Sequence, residues 1–316
     1  MIIYNNWGTI EYAQAWDKQK ELFEARVNAK NYKYSEIQQN SKNLLNPNNQ
    51  QSSNNHPSNN NQPLTEINSS SDNQQSPLDD IVIFCEHPHV YTLGKSGVVE
   101  NLLISNQNLI EQGVSFFKTD RGGDITYHGP GQIVGYPIFD LEHFNIGLKQ
   151  YIFKLEEAVI RFLRNYGING ERLPGSTGVW LDVDLTETPE KPDIQPYIEI
   201  PTNPHALANP DIQAKPKTPP NSTIPPNSAI PPNTGSPASP RNTRKICAIG
   251  VKSSRFITMH GLALNINTDL KYFNYINPCG FVDKGVTSLH KETGIEHSME
   301  TCREQLLKEI LEVFKT

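Results

Sequence analysis

Two segments of this chain are built from residues that cannot form a hydrophobic core, and they limit what the rest can fold into. Residues 41–76 are mainly Asn, Gln and Ser, and residues 187–241 are rich in Pro, Asn, Thr and Ser. Neither segment carries enough apolar surface to offset the entropy lost on ordering. We expect both to be disordered insertions, the second with polyproline II character, in a single domain whose remainder has about 220 residues.

The remainder alternates between strand-like and helix-like patterns, which is typical of an α+β domain. Helical spacing of apolar residues predicts three helices, in the regions 12–27, 152–166 and 298–314. The last of these begins at Ser298 as N-cap and places Cys302 on its apolar stripe. Short apolar runs predict strands at 81–84, 133–139, 179–181, 246–251 and 257–264.

A glycine-dense run at residues 121–132 has the composition of a binding loop. It carries Arg121, Asp124 and His128 among four glycines. Because glycine has no Cβ, its backbone N–H can approach a bound molecule closely. The same composition also fits a long hairpin loop, so the run alone does not decide between the two.

The charge balance excludes several classes of protein. With 28 Lys and Arg against 34 Asp and Glu, the net charge is −6, which lacks the cationic excess of a nucleic-acid binder. No window approaches the roughly 18 apolar residues of a membrane span. The first residues also lack the charged and then apolar pattern of a secretion signal. We therefore expect a cytoplasmic protein that binds neither nucleic acid nor membrane.

Cys279 differs from the other three cysteines in its surroundings. It lies in a Pro-Cys-Gly turn that would hold its side chain outward, whereas Cys85, Cys247 and Cys302 lie in predicted strands or a helix. No Cys-x-x-Cys pair or other zinc-ligand spacing occurs, so we predict no metal site. Cys279 is the candidate nucleophile, and the other three are interpreted as packing residues.

A nucleophilic cysteine needs a neighbour that favours the thiolate, because a free thiol is mostly protonated at neutral pH. The candidates are Lys245, His128 and His260. A lysine ammonium about 4 Å from the sulfur would favour the thiolate by up to about 4 kcal/mol at an effective dielectric of 20. Composition and spacing thus indicate an intracellular enzyme with a candidate cysteine nucleophile, and they leave its substrate open.

Six motifs together resemble the lipoyl(octanoyl) transferases of lipoate biosynthesis, a family related in fold to the biotin and lipoate protein ligases. The resemblance implies one catalytic domain over residues 1–316, with mixed sheets and flanking helices. Cys247 stands where the family usually has a small residue such as Ala, which favours a packing role. In chain order the motifs are EHP with YTLG at 86–94, RGGDITYHGPGQ at 121–132, GVW at 178–180, KICAIGV at 245–251, HGLALN at 260–265 and PCG at 278–280.

The resemblance also implies a reaction. An octanoyl group passes from octanoyl-acyl carrier protein to Cys279 as a thioester, with Lys245 as the partner of the cysteine and without a cofactor. It then passes to the ε-amino group of a lysine on lipoyl domains, those of 2-oxoacid dehydrogenase E2 subunits and of glycine cleavage H protein.

The implied substrate pocket contains many small residues. They would leave room for the eight-carbon tail and let backbone N–H groups form an oxyanion hole. Its residues are Arg121, Gly122, Gly123, Asp124, Ile125, Thr126, Tyr127, His128, Ala248, Ile249, Gly250, Gly261, Leu262 and Ala263.

Three other functions remain open from the sequence. An ATP-dependent lipoate or biotin ligase would have a similar glycine run but would not require the Pro-Cys-Gly turn. A non-catalytic module that grips lipoyl domains would not require both Lys245 and Cys279. A zinc protein is the weakest alternative because the cysteines lack ligand spacing.

Overall fold

Eleven strands and five helices build the described part of the chain, residues 2–44, 79–183, 243–277 and 284–315 of a computed structural model. In chain order they are β1 Ile2–Thr9, α1 Tyr12–Leu44, β2 Asp80–Glu86, β3 Val90–Leu93, α2 Asn106–Glu111, β4 Ser115–Lys118, β5 Ile125–His128, β6 Gln132–Ile138, α3 Leu148–Arg164, β7 Glu171–Leu173, β8 Ser176–Leu181, β9 Arg244–Ser254, β10 Ile257–Asn265, β11 Gly285–Val286, α4 Leu289–Thr293 and α5 Met299–Val313.

The strands form one large and one small sheet. The large sheet has the order β1-β2-β6-β10-β9-β8-β7, with β11 beside β9, and the small sheet has the order β4-β3-β5. Both are mixed, because β1 with β2, β9 with β11 and β3 with β4 run parallel while the other pairs are antiparallel. The predicted α+β fold with mixed sheets and flanking helices is confirmed.

Helices cover both faces of the large sheet, since successive side chains of a strand point to opposite sides. On one face Val82, Phe84 and Ile133 belong to an apolar cluster with residues of α3 and α5. On the other face Ile83 and Val134 pack with residues of α1. The sheet is therefore the middle layer of the fold. None of the described helices combines the length and the apolar character needed to cross a lipid bilayer.

The predicted helices are present, with one boundary corrected. Ser298 caps α5 by accepting the Thr301 N–H at 3.3 Å, and Cys302 is buried as expected. α1 continues beyond the predicted region 12–27 to Leu44, so residues 41–44, at the start of the first predicted insertion, are helical. Residues 45–76 and 187–241 lie outside the described residues, and their disorder stays a prediction.

The glycine-dense run is not a simple loop. Its middle forms β5, which pairs antiparallel with β3 from Leu93 opposite Ile125 to Val90 opposite His128. Glycines occupy the parts on either side of β5, where Gly123 and Gly131 have φ of +86° and +77°. The prediction of a continuous binding loop was wrong for this strand, whose β-branched and aromatic residues pair well in a sheet.

One irregularity in β9 decides where Lys245 lies. Val179 of β8 pairs with Cys247, but the next residue, Trp180, pairs with Lys245, so Ile246 is the extra residue of a β-bulge. Ile246 and Cys247 both pack into the cluster with α3 and α5. Lys245 is consequently turned to the opposite face of the sheet.

Gly178 supports this bulge and provides a test of it. Its φ is +113°, and a Cβ there would lie 2.4 Å from the carbonyl oxygen of Cys247. We expect Gly178→Ala to lower the free energy of unfolding by about 3 kcal/mol or more, from backbone strain and this clash. Urea unfolding followed by circular dichroism measures it.

Gly175→Ala is the matched control. Gly175 also has a positive φ, +76°, but a Cβ there would meet nothing within 4 Å. It should cost only about 1 kcal/mol, the strain of a left-handed backbone. Equal losses in the two variants would contradict the close packing of β8 against the bulge.

Candidate active site

A cavity lies over the face of the large sheet that Lys245 occupies. Of the fourteen residues predicted to form the substrate pocket, twelve line it, and so does Lys245. Gly122 and Tyr127 do not contribute to the lining. The tertiary structure thus brings together motifs that are more than a hundred residues apart in the chain.

The floor of the cavity consists of small residues from neighbouring strands. Ala263 of β10 pairs with Ala248 of β9 on one side and with Val134 of β6 on the other. Gly261 pairs with Gly250 in the adjacent row. Residues of this size leave an open trough above the sheet, while large side chains at the same positions would fill it.

Residues 121–126 form the roof of the cavity, and Arg121 holds this segment in place. The buried guanidinium donates from Nη2 to the carbonyl oxygens of Thr92 at 2.6 Å and Asp124 at 2.8 Å, and from Nη1 to that of Gly122 at 3.0 Å. Gly94 gives it room, because a Cβ there would lie 2.8 Å from Nη1. The arginine therefore shapes the loop that faces the ligand by organising its backbone.

The two predicted pocket residues outside the lining have other contacts. The Gly122 N–H donates to the carbonyl oxygen of Val251 at 2.9 Å, which fastens the roof to β9. Tyr127 points to the opposite side of β5 from His128 and is buried in the small apolar cluster, where its hydroxyl lies 2.7 Å from Nδ1 of His89. Both residues support the cavity from outside.

His128 is neutral, and both of its ring nitrogens are hydrogen-bonded. Burial lowers its pKa to about 3. The hydroxyl of Thr92 accepts from Arg121 and donates to Nε2 at 3.2 Å, while Nδ1–H donates to Oε1 of Gln132 at 2.8 Å. Gln132 in turn donates to Oδ1 of Asn265 at 2.9 Å. His128 therefore positions the cavity wall, and it is not available as the activator of a thiol.

His260 reaches the cavity through an unusual backbone conformation. Regular alternation would point it to the same face as Leu262 and Leu264, but its φ is +63° and its ring lies 6.5 Å from that of Trp16 on the α1 side. Its Nε2 lies 2.8 Å from Oδ1 of Asp120. Burial lowers the pKa of His260, so the neutral ring is the donor in this hydrogen bond.

Asp120 joins the roof to the floor. Its second oxygen, Oδ2, lies 2.6 Å from Nζ of Lys252 on β9. The hydrogen bond from His260 and the nearby Lys252 ammonium hold the pKa of this carboxyl well below its usual range. His260 thus anchors the residue that precedes Arg121, and it is tied to Asp120 rather than to a nucleophile.

Lys245 is buried at the β8 side of the cavity. Its side chain is 8% exposed, and Nζ lies 4.4 Å from the centroid of the Trp180 ring. Val286 of β11 pairs with it, and its carbonyl oxygen accepts the Thr287 N–H at 3.0 Å. A lysine with this little solvent around it is placed to interact with a reacting group in the cavity.

The three described cysteines are unsuited to nucleophilic chemistry. Cys85, Cys247 and Cys302 are all buried, and burial raises the pKa of each thiol, that of Cys247 to about 12. Their predicted packing roles are confirmed.

Cys279 lies outside the described residues. The chain on either side of it is anchored, because the Asn277 N–H donates to the Asn101 carbonyl oxygen at 2.8 Å and Lys284 lines the cavity.

Several lining residues were not among the predicted pocket residues. Trp180 and Asn265 belong to recognised motifs, which was a signal that could have identified them. Tyr12 and Tyr136 carry no such signal, because a tyrosine in an apolar strand or helix pattern resembles any core aromatic residue. The others are Gln132, Val134, Thr177, His260, Phe273, Lys284, Gly285 and Val286.

The buried neutral histidines predict a pH dependence of stability. Burial lowers the pKa of His87 to about 4 and that of His128 to about 3, against about 6.5 in the unfolded chain. Below about pH 6.5 the unfolded state binds protons that the folded state does not, so stability falls with pH by up to about 1.4 kcal/mol per pH unit and histidine. Urea unfolding at pH 7.5, 6.0 and 5.0 should show a shallower fall for His128→Gln than for the unchanged chain. An equal slope in both proteins would contradict a neutral His128.

Comparisons with known proteins agree on one family. A family model of the lipoyl protein ligase A/B catalytic domain matches residues 66–311. An octanoyltransferase of Parabacteroides distasonis is 49% identical over 75% of this chain and 82% of its own. An octanoyltransferase of Bacteroides fragilis is 38% identical over 98% of this chain and 96% of its own.

A solved structure of a bi-partite lipoate protein ligase from Thermoplasma acidophilum has a TM-score of 0.46 and 14% identity, and covers 74% of this chain and 71% of that one.

Proposed function

This chain belongs to the lipoyl protein ligase A/B catalytic domain family, and we propose that it is an octanoyltransferase that transfers an octanoyl group to lipoyl domains. The observation that carries this proposal is the buried Lys245 beside a trough of small residues. A trough of this kind suits an unbranched acyl chain, and a lysine at its side suits the chemistry of the acyl carbonyl. The enzyme is an acyltransferase that takes its acyl group from a carrier.

We propose Cys279 as the residue that carries the acyl group. Two observations on other residues support this choice. Cys85, Cys247 and Cys302 are the other thiols, and each is buried with a raised pKa. The chain also returns from the segment that contains Cys279 directly into β11, which pairs with Lys245.

The proposed reaction has two steps. In the first, the Cys279 thiolate attacks the carbonyl carbon of octanoyl-acyl carrier protein, and the carrier thiol leaves with a proton. In the second, the ε-amine of a lipoyl-domain lysine attacks the enzyme thioester, an amide forms and the Cys279 thiolate is released. Thioester exchange is nearly isoenergetic and amide formation is downhill, so neither step needs ATP or a cofactor.

Lys245 serves both steps of this proposal. Its ammonium stabilises the thiolate of Cys279 and gives its proton to the departing carrier thiolate, and the amine so formed accepts the proton that the incoming lysine loses. Backbone N–H groups in the stretches 248–250 and 261–263, together with those of the roof, are the candidates for an oxyanion hole. The small side chains there allow the carbonyl oxygen to approach the backbone.

We propose E2 subunits of 2-oxoacid dehydrogenases and glycine cleavage H protein as the acceptors, and the cytoplasm as the compartment. The unpaired thiols Cys85, Cys247 and Cys302 support a reducing environment. ATP-dependent ligation from a free acid is the competing reaction. The relatives that cover most of this chain are octanoyltransferases, which favours transfer from a thioester.

Replacing Cys279 with Ser should abolish the acyl-enzyme. Incubating the unchanged chain with octanoyl-acyl carrier protein should add one octanoyl group, which peptide mass mapping locates on Cys279. Transfer to a lipoyl domain should fall at least a hundredfold in Cys279→Ser, because a hydroxyl is far less ionised than a thiol. Product from free octanoate and ATP without carrier would favour the ligase instead, and an adduct on Cys247 would refute the choice of nucleophile.

Replacing Lys245 with Met keeps the length of the side chain and removes its charge. We expect transfer to fall by about 10²- to 10⁴-fold, the usual contribution of a general base. Iodoacetamide should also modify Cys279 more slowly at pH 7, since the thiolate loses its cation. Lys149→Met, an exposed lysine on α3, is the control and should leave both rates unchanged. Unimpaired alkylation and transfer in Lys245→Met would rule out this role.

A further inference from the structure

We propose that Tyr136, with Val134 beside it, forms the end wall of the acyl site and sets the length of the chain that the enzyme transfers. This inference rests on the octanoyl transfer proposed above and adds the residue that determines its specificity. Both side chains line the cavity and belong to β6, on the far side of the trough from Lys245.

The trough runs across the strands. One row of small residues passes from Ala248 on β9 to Ala263 on β10 and meets Val134 on β6. The adjacent row passes from Gly250 to Gly261. The pairing of Gly135 with Leu262 places Tyr136 opposite Gly261, so this second row ends at the tyrosine ring.

Lys245 and Tyr136 lie at opposite ends of the trough. The register places Tyr136 in the row of Gly250, two strand spacings or about 10 Å across the sheet from β9. Lys245 comes before Gly250 on the bulged strand, which adds about 13 Å along β9. An acyl chain that begins beside Lys245 therefore runs diagonally over the small residues toward Tyr136, and each added methylene brings its end nearer to that ring.

Burial and one hydrogen bond hold this ring in place. Nδ1–H of His87 donates to the carbonyl oxygen of Ile10 at 2.7 Å, which leaves Nε2 as an acceptor. The hydroxyl of Tyr136 donates to this Nε2 at 2.6 Å, and the residue is only 4% exposed. Tyr12, whose ring lies 5.3 Å from that of His87, closes the same end of the cavity.

Apart from His87 and Gln19 at its hydroxyl, the surroundings of Tyr136 are apolar. The residue belongs to a buried cluster with Ile83, Cys85, Ile138 and Met259, under α1. Shortening the tyrosine would therefore lengthen the trough into an apolar space that accepts further methylenes. His260 is a weaker candidate for the end wall, because removing it would leave the Asp120 carboxylate without its hydrogen bond.

The test compares Tyr136→Leu with Tyr136→Phe. Both variants lose the hydroxyl, and only the first loses the ring. The measured quantity is the ratio of kcat/KM for dodecanoyl- to octanoyl-acyl carrier protein, with a lipoyl domain as the acceptor. We expect Tyr136→Leu to raise this ratio at least tenfold, the discrimination that one or two methylenes provide in an apolar pocket. Tyr136→Phe should keep the ratio of the unchanged chain.

Three more variants of the chain complete the test. Tyr151→Leu alters an equally buried tyrosine in the cluster on the other face, so it should lower the melting temperature without changing the ratio. Ala263→Leu fills the trough and should favour hexanoyl over octanoyl donors. If Tyr136→Leu does not fold, Val134→Ala takes its place with the same expected direction.

The outcomes separate the two proposals. If the unchanged chain transfers no octanoyl group from the carrier, the proposed function fails. If it does so, but the folded Tyr136→Leu or Val134→Ala variant keeps the original ratio, the end wall lies elsewhere and this inference is overturned. The same holds if Tyr136→Phe shifts the ratio as much as Tyr136→Leu, because the hydroxyl would then be the determinant.

Discussion

The antiparallel pairing of β9 with β10, and of β10 with β6, is the constraint on which the candidate site depends. This register aligns Ala248 with Ala263 and Gly250 with Gly261, so small residues from distant parts of the chain form continuous rows. Ile249 and Leu262 only border the cavity and pack into the cluster on the opposite face, whereas a shift by one residue would turn their side chains into the trough and fill it. The helices α3 and α5 hold the register by burying those apolar residues on the opposite face.

Two departures from regular strand geometry place the side chains of Lys245 and His260 at the cavity. The bulge at Ile246 turns Lys245 to the cavity face, and the left-handed backbone at His260 turns its ring toward the same side. Such conformations cost on the order of 1–3 kcal/mol and persist only where neighbouring contacts favour them. Gly178 beside the bulge and the hydrogen bond from His260 to Asp120 are these contacts.

Hydrogen bonds with defined direction give the cavity a rigid wall. Arg121 donates to Thr92, Thr92 to His128, His128 to Gln132, and Gln132 to Asn265. Because each acceptor is also a donor to the next group, the position of every member is set by its neighbours. The series joins the small sheet to β6 and β10 of the large sheet, so the roof and the floor of the site are held as one unit.

The sequence by itself determined the fold class, three of the five described helices, five of the eleven described strands and about half of the residues that line the cavity, because periodic apolar residues and the six motifs are local signals. Ser298 as a cap and Cys302 as a core residue followed from helical spacing alone. Tertiary structure alone decided the face on which Lys245 lies. Strict alternation assigns Lys245 and Ala248 to opposite faces, and only the pairing with β8 introduces the extra residue that reverses this. Strand register is a relation between distant segments, so no local pattern in the sequence contains it.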